Sequence, residues 1–161
     1  MNEPITAINE HLRRLHQLQQ RPGYRRRLLD GIDGVANIGT LRILRATERA
    51  EAAGRSPSVR DIAHDLGIEH STASRAVNET TRLGLTERHA CDDDQRRARI
   101  ELTERGHAAA DRATRNRQHI IAAALTGRSD EELEQLDYLL GHLIDGLARL
   151  EDIETAVAAD H

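Results

Sequence analysis

The chain has 161 residues, a net charge of -4, and 38% hydrophobic, 31% charged and 1% aromatic residues. That length excludes a two-lobed enzyme, and that charge excludes a polycation gripping nucleic acid over its whole surface, so any nucleic-acid contact is local. The core must come from Leu, Ile, Val and Ala, because Phe and Trp are absent, and such a composition favours helices packed through aliphatic seams.

From the amino end, Ile5, Ile8, Leu12 and Leu15 fall at intervals of three and four and lie on one helical stripe, which ends near Arg21-Pro22-Gly23. Tyr24 to Leu29 is basic and apolar and reads as a short helix bounded by loops with Gly31 and Gly34. Leu41, Ile43 and Leu44 open a helix that runs to Ala53 and stops at Gly54, and Arg55-Ser56-Pro57 is a linker. Ser58 stands three residues before Asp61, a capping-box start with Asp where Glu or Gln is usual. Val59, Ile62, Ala63 and Leu66 then define a short amphipathic helix that Gly67 ends.

After the turn Gly67-Ile68-Glu69, a second helix spans His70 to Leu83, with Ala73, Ala76, Val77 and Leu83 inward and Ser71, Thr72, Ser74, Arg75, Asn78 and Arg82 outward. Leu85 to Ala90 and Arg97 to Leu102 have strand character, and the second alternates Ala98, Ile100 and Leu102 against Arg97, Arg99 and Glu101. Cys91 to Arg96 form the polar hairpin tip between them. Thr103 caps a long helix that stops at Gly127, and Ser129 with Glu132 forms a capping box for the last one. There Leu133, Leu136, Leu140, Leu143, Leu147 and Leu150 alternate three- and four-residue spacings in an unbroken heptad seam that calls for a partner.

A short helix, a tight glycine turn, a second helix opening with small polar residues and a two-stranded ribbon form one DNA-reading unit. The major groove is about 12 Å wide and admits one helix; short Ser, Thr and Asn side chains let it approach base edges while Arg reaches guanine. At this point the chain resembles a family. Leu66-Gly67-Ile68, Ser71-Thr72-Ala73-Ser74-Arg75, Gly84-Leu85, Arg88, Asp94-Gln95-Arg96 and Leu102-Thr103-Glu104-Arg105-Gly106 are similar to the signature run of MarR-type (multiple antibiotic resistance) regulators, over most of residues 38 to 150. Glu69 stands where that family often has a Ser or Thr cap, and Thr80 and Thr86 replace usual apolar positions.

The resemblance implies a mainly α fold with a small β-wing, and a transcriptional regulator, expected to be a repressor; the single cysteine and the lack of an apolar span point to the cytoplasm. It divides the chain into an N-terminal dimerisation segment (1–36), a winged helix-turn-helix (37–106) and a C-terminal dimerisation segment (107–161). It further implies a homodimer held through Ile5, Ile8, Leu12, Leu15 and the Leu133 to Leu150 seam, reading double-stranded DNA with pseudo-palindromic half-sites. Arg96 becomes the wing-tip residue of the minor groove and Asp94 its orienting partner, while Arg97 and Arg99 contact phosphate or face water.

The resemblance also implies a small-molecule effector between the dimer body and the reading head. Without Phe or Trp its pocket suits an aliphatic or polar ligand, or none, and Tyr24 is a candidate wall residue.

Other expectations come from single residues. Cys91 cannot close an internal disulfide, so a redox-responsive wing is open to it only through a mixed or intersubunit product. No His-x-x-x-His pair or Cys cluster predicts a metal or other cofactor, and His64, His70 and His89 read as polar surface or phosphate contacts. No nucleophile-base pair or phosphate loop predicts an enzyme. No apolar run approaches the roughly 18 residues of a membrane span, and no secretory apolar stretch follows Met1. The competing function is a winged-helix module that docks a protein instead of DNA.

Overall fold

The computed structural model describes residues 3–90 and 98–159, with side chains through Leu150. In chain order the elements are α1 (Glu3–Gln20), α2 (Pro22–Leu28), α3 (Ile38–Ala52), α4 (Val59–Leu66), α5 (His70–Arg82), β1 (Thr86–Ala90), β2 (Ala98–Leu102), α6 (Glu104–Ala124) and α7 (Asp130–Ala159). The expected fold class, mainly helical with a small wing, is the one observed. The chain forms two compact units, one through Ile121 and one from Ala122 onward. None of the described helices is long and apolar enough to cross a membrane.

In the first unit, Pro22 occupies the first turn of α2, where its missing N–H costs no helical bond. The third helix starts at Ile38, earlier than its apolar periodicity indicates, because the Asn37 side chain accepts from the Thr40 N–H at 2.9 Å. The loop between these helices is exposed at most positions but is anchored by two buried side chains. Its Ile32 and Val35 join Leu28, Leu41, Leu44, Leu85, Leu102, Ala109 and Ala113 in one core. Asn116, buried on α6, donates to the carbonyls of Leu28 at 3.0 Å and Asp30 at 2.8 Å, which satisfies backbone that burial removes from water.

A second core joins α3, α4, α5 and β2 through Ile43, Ala46, Ile62, Val77 and Ile100. Burying an aliphatic side chain of this size contributes about 1.5–3 kcal/mol, so α5 is held by its inner face and its outer face is left to other uses. Thr80 and Thr86, which replace apolar residues of the resembled family, are fully buried and share a hydroxyl contact of 2.8 Å. Thr80 also donates to the Val77 carbonyl at 2.9 Å. The pair therefore bonds α5 to β1 without leaving a polar group unsatisfied.

The ribbon is antiparallel, with Thr86 opposite Leu102, Arg88 opposite Ile100 and Ala90 opposite Ala98. The Arg55-Ser56-Pro57 linker is more than a connection: the Ile100 N–H donates to the Pro57 carbonyl at 2.8 Å, and Ser58 bridges Arg99. At the far end of the ribbon, Thr103 donates its N–H to the Leu85 carbonyl and its hydroxyl to the Gly84 carbonyl, and accepts from the Gly106 N–H. A Cβ at Gly106 would lie 2.0 Å from the Leu85 oxygen, so only glycine lets α6 approach this closely.

The second unit contains α7, whose capping box has Ser129 N–H on Glu132 at 2.8 Å and Glu132 N–H on Ser129 Oγ at 3.2 Å. Leu136, Leu140, Leu147 and Leu150 are exposed, and Leu133 and Leu143 are partly covered. In the first unit, α1 buries no residue, and Ile5, Ile8, Leu12 and Leu15 are all exposed.

Candidate nucleic-acid interface

The reading unit is built from its caps. Ser58 Oγ accepts from the Asp61 N–H at 3.3 Å while the Asp61 carboxylate accepts from the Ser58 N–H at 2.8 Å, so the capping box is complete with Asp in place of Glu. Gly67 takes the left-handed conformation, φ 60° and ψ 40°, and closes α4 so that the chain turns directly into α5. Glu69 at the start of α5 makes no side-chain capping bond.

On α5, Ser71, Thr72, Arg75, Asn78 and Arg82 are exposed and Ser74 is half-buried, while Ala73, Val77 and Thr80 face the core. Two of the outward residues are already engaged. Arg82 grips Glu79 through two bonds of 2.9 and 2.6 Å. That hydrogen bond holds the Glu79 carboxyl below the usual carboxylate range and raises the Arg82 guanidinium. Asn78 Oδ1 accepts from Arg88 of β1 at 2.7 Å, so this asparagine orients a wing arginine. Among the described residues, Arg75 and the small polar residues at the start of the helix make no comparable side-chain ion pair, and Arg75 reaches only the Ser71 carbonyl one turn back, at 3.4 Å.

Beside the start of α5, a groove of about 350 Å³ is lined by Ser58, Val59, Arg60, His70, Ser74, Arg88 and Ala98. Arg60, His70 and Arg88 are exposed. Three cationic or protonatable side chains from α4, α5 and β1 thus surround one concavity next to the helix face that carries Ser71 and Arg75, an arrangement suited to a nucleic-acid backbone. Arg60 lies outside the sites expected from sequence, and Arg88 entered there only as a residue of the family-like run. The cationic residue just inside the capping box was the available signal for Arg60, whereas the turn of Arg88 toward α5 is visible only in its bond to Asn78. Arg99 is exposed on the other face of the ribbon, in register with His89. Cys91, Asp94, Arg96 and Arg97, expected at the wing, lie outside the described residues.

Two clefts of the first unit have the size of a small-molecule site. One of about 460 Å³ is lined by Leu28, Ile38, Leu41 and Leu66 together with Arg42, Arg45, Arg49 and Arg117. Arg45 there is tied to Glu48 and Thr114, and Arg49 to Asp65. The other, of about 340 Å³, is bordered by Gly31, Ile32, Arg105, Arg112 and Arg115, with Arg105 paired to Asp33 at 2.7 Å. Tyr24 packs against the first core and lines neither cleft. On the ribbon, pairing brings the ligand atoms of Glu87, His89 and Glu101 within 4.8 Å of one another, which single-strand spacing does not reveal.

Residues 33–97 match the model of the MarR family. Solved structures share the fold. A MarR family protein from Bacillus stearothermophilus is 24% identical, covers 92% of this chain and 99% of its own, and superposes with a TM-score of 0.76. Apo MarR from E. coli is 18% identical over 81% of this chain and 94% of its own, with a TM-score of 0.63. A substituted MepR of S. aureus bound to an oligodeoxyribonucleotide is 21% identical over 86% of this chain and 97% of its own, with a TM-score of 0.58.

Proposed function

We propose that this chain, whose winged segment is of the MarR family, is a transcriptional regulator that binds double-stranded DNA as a homodimer, recognising a pseudo-palindromic operator and acting as a repressor. The observation that carries this reading is the polar face of α5 lying beside the Arg60, His70 and Arg88 groove, while the opposite face of α5 is locked into the core. Ser71, Thr72, Ser74 and Arg75 read base edges in the major groove, Arg60 and Arg88 contact phosphate, and Asn78 sets the Arg88 guanidinium. Arg96, Arg97 and Arg99 supply the wing contacts, with Asp94 orienting Arg96.

Dimerisation is supported by the apolar stripes of α1 and α7, most of whose side chains stay exposed. Residues 1–36 and 107–161 are assigned to the dimer body and 37–106 to the reading head. Two such heads read half-sites about 34 Å apart, one helical turn of B-DNA. An effector released from or bound to either arginine-rimmed cleft is compatible with regulation, and the cleft chemistry suits an anionic molecule with an apolar portion. No catalytic step belongs to this reading.

Selection of bound fragments from random duplex DNA, followed by binding to the selected site, tests it. Arg75→Ala and Arg88→Ala are expected to weaken binding at least tenfold each without changing the oligomeric mass. Added salt should weaken wild-type binding steeply, because phosphate neutralisation releases counterions. Unchanged affinity in both variants, or binding to a protein partner that salt does not weaken, would favour the protein-docking alternative.

A further inference from the structure

On the outer face of the ribbon, we propose a divalent transition-metal site formed by Glu87, His89 and Glu101, with zinc as the ion it fits. Glu87 and His89 are two residues apart on β1 and so share a face, and the register sets Glu101 of β2 directly opposite Glu87. Like charges placed directly opposite each other destabilise a ribbon, and a bound cation reverses that conflict.

Two of the separations match those between ligands of one metal ion. His89 Nε2 lies 3.3 Å from Glu87 Oε1 and 3.6 Å from Glu101 Oε2. Zinc bonds of about 2.0–2.2 Å set the edges of a ligand tetrahedron at roughly 3.3–3.6 Å, whereas a side-chain contact at the longer of these distances is no hydrogen bond. All three ligand atoms lie within 4.8 Å of one another.

The far side of the site is also organised. Ser56 donates to Glu101 Oε1 at 2.9 Å, leaving Oε2 as the oxygen that faces the imidazole, the outer-shell support that orients ligating carboxylates. An imidazole with two carboxylates prefers zinc and its neighbours to magnesium or calcium, which take oxygen ligands. Three protein ligands leave a position for water, and partial exposure together with Arg99 opposite His89 keeps the affinity moderate.

Zinc titration of the full-length protein by calorimetry, and by competition with a chromophoric chelator, tests the site without reference to DNA. The expected result is one zinc ion per chain at neutral pH, unaffected by millimolar magnesium. Its affinity should fall at least tenfold in Glu101→Gln, and that binding event should vanish in His89→Ala, with circular dichroism unchanged in both. The chain has nine histidines, so zinc binding that survives His89→Ala with the same affinity would overturn the assignment, as would absence of binding at 100-fold molar excess of zinc. Because the readout is metal affinity, failure of this site leaves the DNA-binding reading intact, and loss of DNA binding says nothing against the site.

Discussion

Gly106→Ala confronts helix propensity with packing. In an ordinary helix this change stabilises by about 0.5–1 kcal/mol, because alanine loses less backbone freedom than glycine on folding. Here the added Cβ would meet the Leu85 carbonyl oxygen at 2.0 Å and the Leu102 side chain at 3.3 Å, and the first of these is shorter than real Cβ contacts allow. The oxygen belongs to backbone that also accepts from the Thr103 N–H at 3.1 Å, so it cannot rotate away as a flexible side chain would. Moving α6 off Leu85 costs about 1–3 kcal/mol as overpacking, and weakening the Thr103 bond costs roughly 1 kcal/mol more. After the propensity gain is subtracted, the expected net loss is about 1–3.5 kcal/mol. Urea unfolding at fixed protein concentration measures it as a lower midpoint with unchanged slope. Gly23→Ala, where nothing lies within 4 Å of the new Cβ, is the control and should be neutral or slightly stabilising. A Gly106→Ala protein as stable as wild type would refute the close-approach argument.

Thr86→Val should destabilise by about 1 kcal/mol by leaving the buried Thr80 hydroxyl with one partner fewer, and the Thr80→Val, Thr86→Val cycle should show a coupling of about 0.5–1 kcal/mol in urea unfolding. In Arg82→Ala, the titration midpoint of Glu79, followed by NMR, should rise toward the usual carboxylate range. Since Arg82 depresses the folded-state value, the pair's small stabilisation is present above the unfolded value and lost as pH falls through the folded one. Leu140→Asp combined with Leu143→Asp should halve the mass seen by light scattering and abolish tight DNA binding, whereas unchanged mass would remove the α7 seam from the interface.

Features that depend on neighbours in sequence were legible without coordinates. The three- and four-residue spacing of Val59, Ile62, Ala63 and Leu66, the Ser58–Asp61 cap and Gly67 define the first reading helix and its turn. Two-residue alternation in Ala98 to Leu102 defines a strand with Ile100 and Leu102 inward. The Leu102-Thr103-Glu104-Arg105-Gly106 run marked the entry to α6. Its physical reason appeared only in the fold, where Thr103 and Gly106 meet the Gly84–Leu85 backbone from across the ribbon. Asn37 was missed because the apolar period of α3 begins later than its cap.

By itself, the sequence determined the helical periods, the turn at Gly67, the strand alternation and the outward face of α5, because each follows from residues within a turn or a pleat of one another. Only the tertiary structure decided which outward groups are free. It committed Arg82 to Glu79, set Asn78 on Arg88, joined Arg60, His70 and Arg88 around one groove, and gathered Glu87, His89 and Glu101 on one face. It also turned Thr80 and Thr86 from departures in an apolar pattern into a satisfied buried pair. Apart from the local Arg82–Glu79 grip, these juxtapositions depend on strand register and on how α5 packs against the ribbon, which periodicity along a single element does not encode.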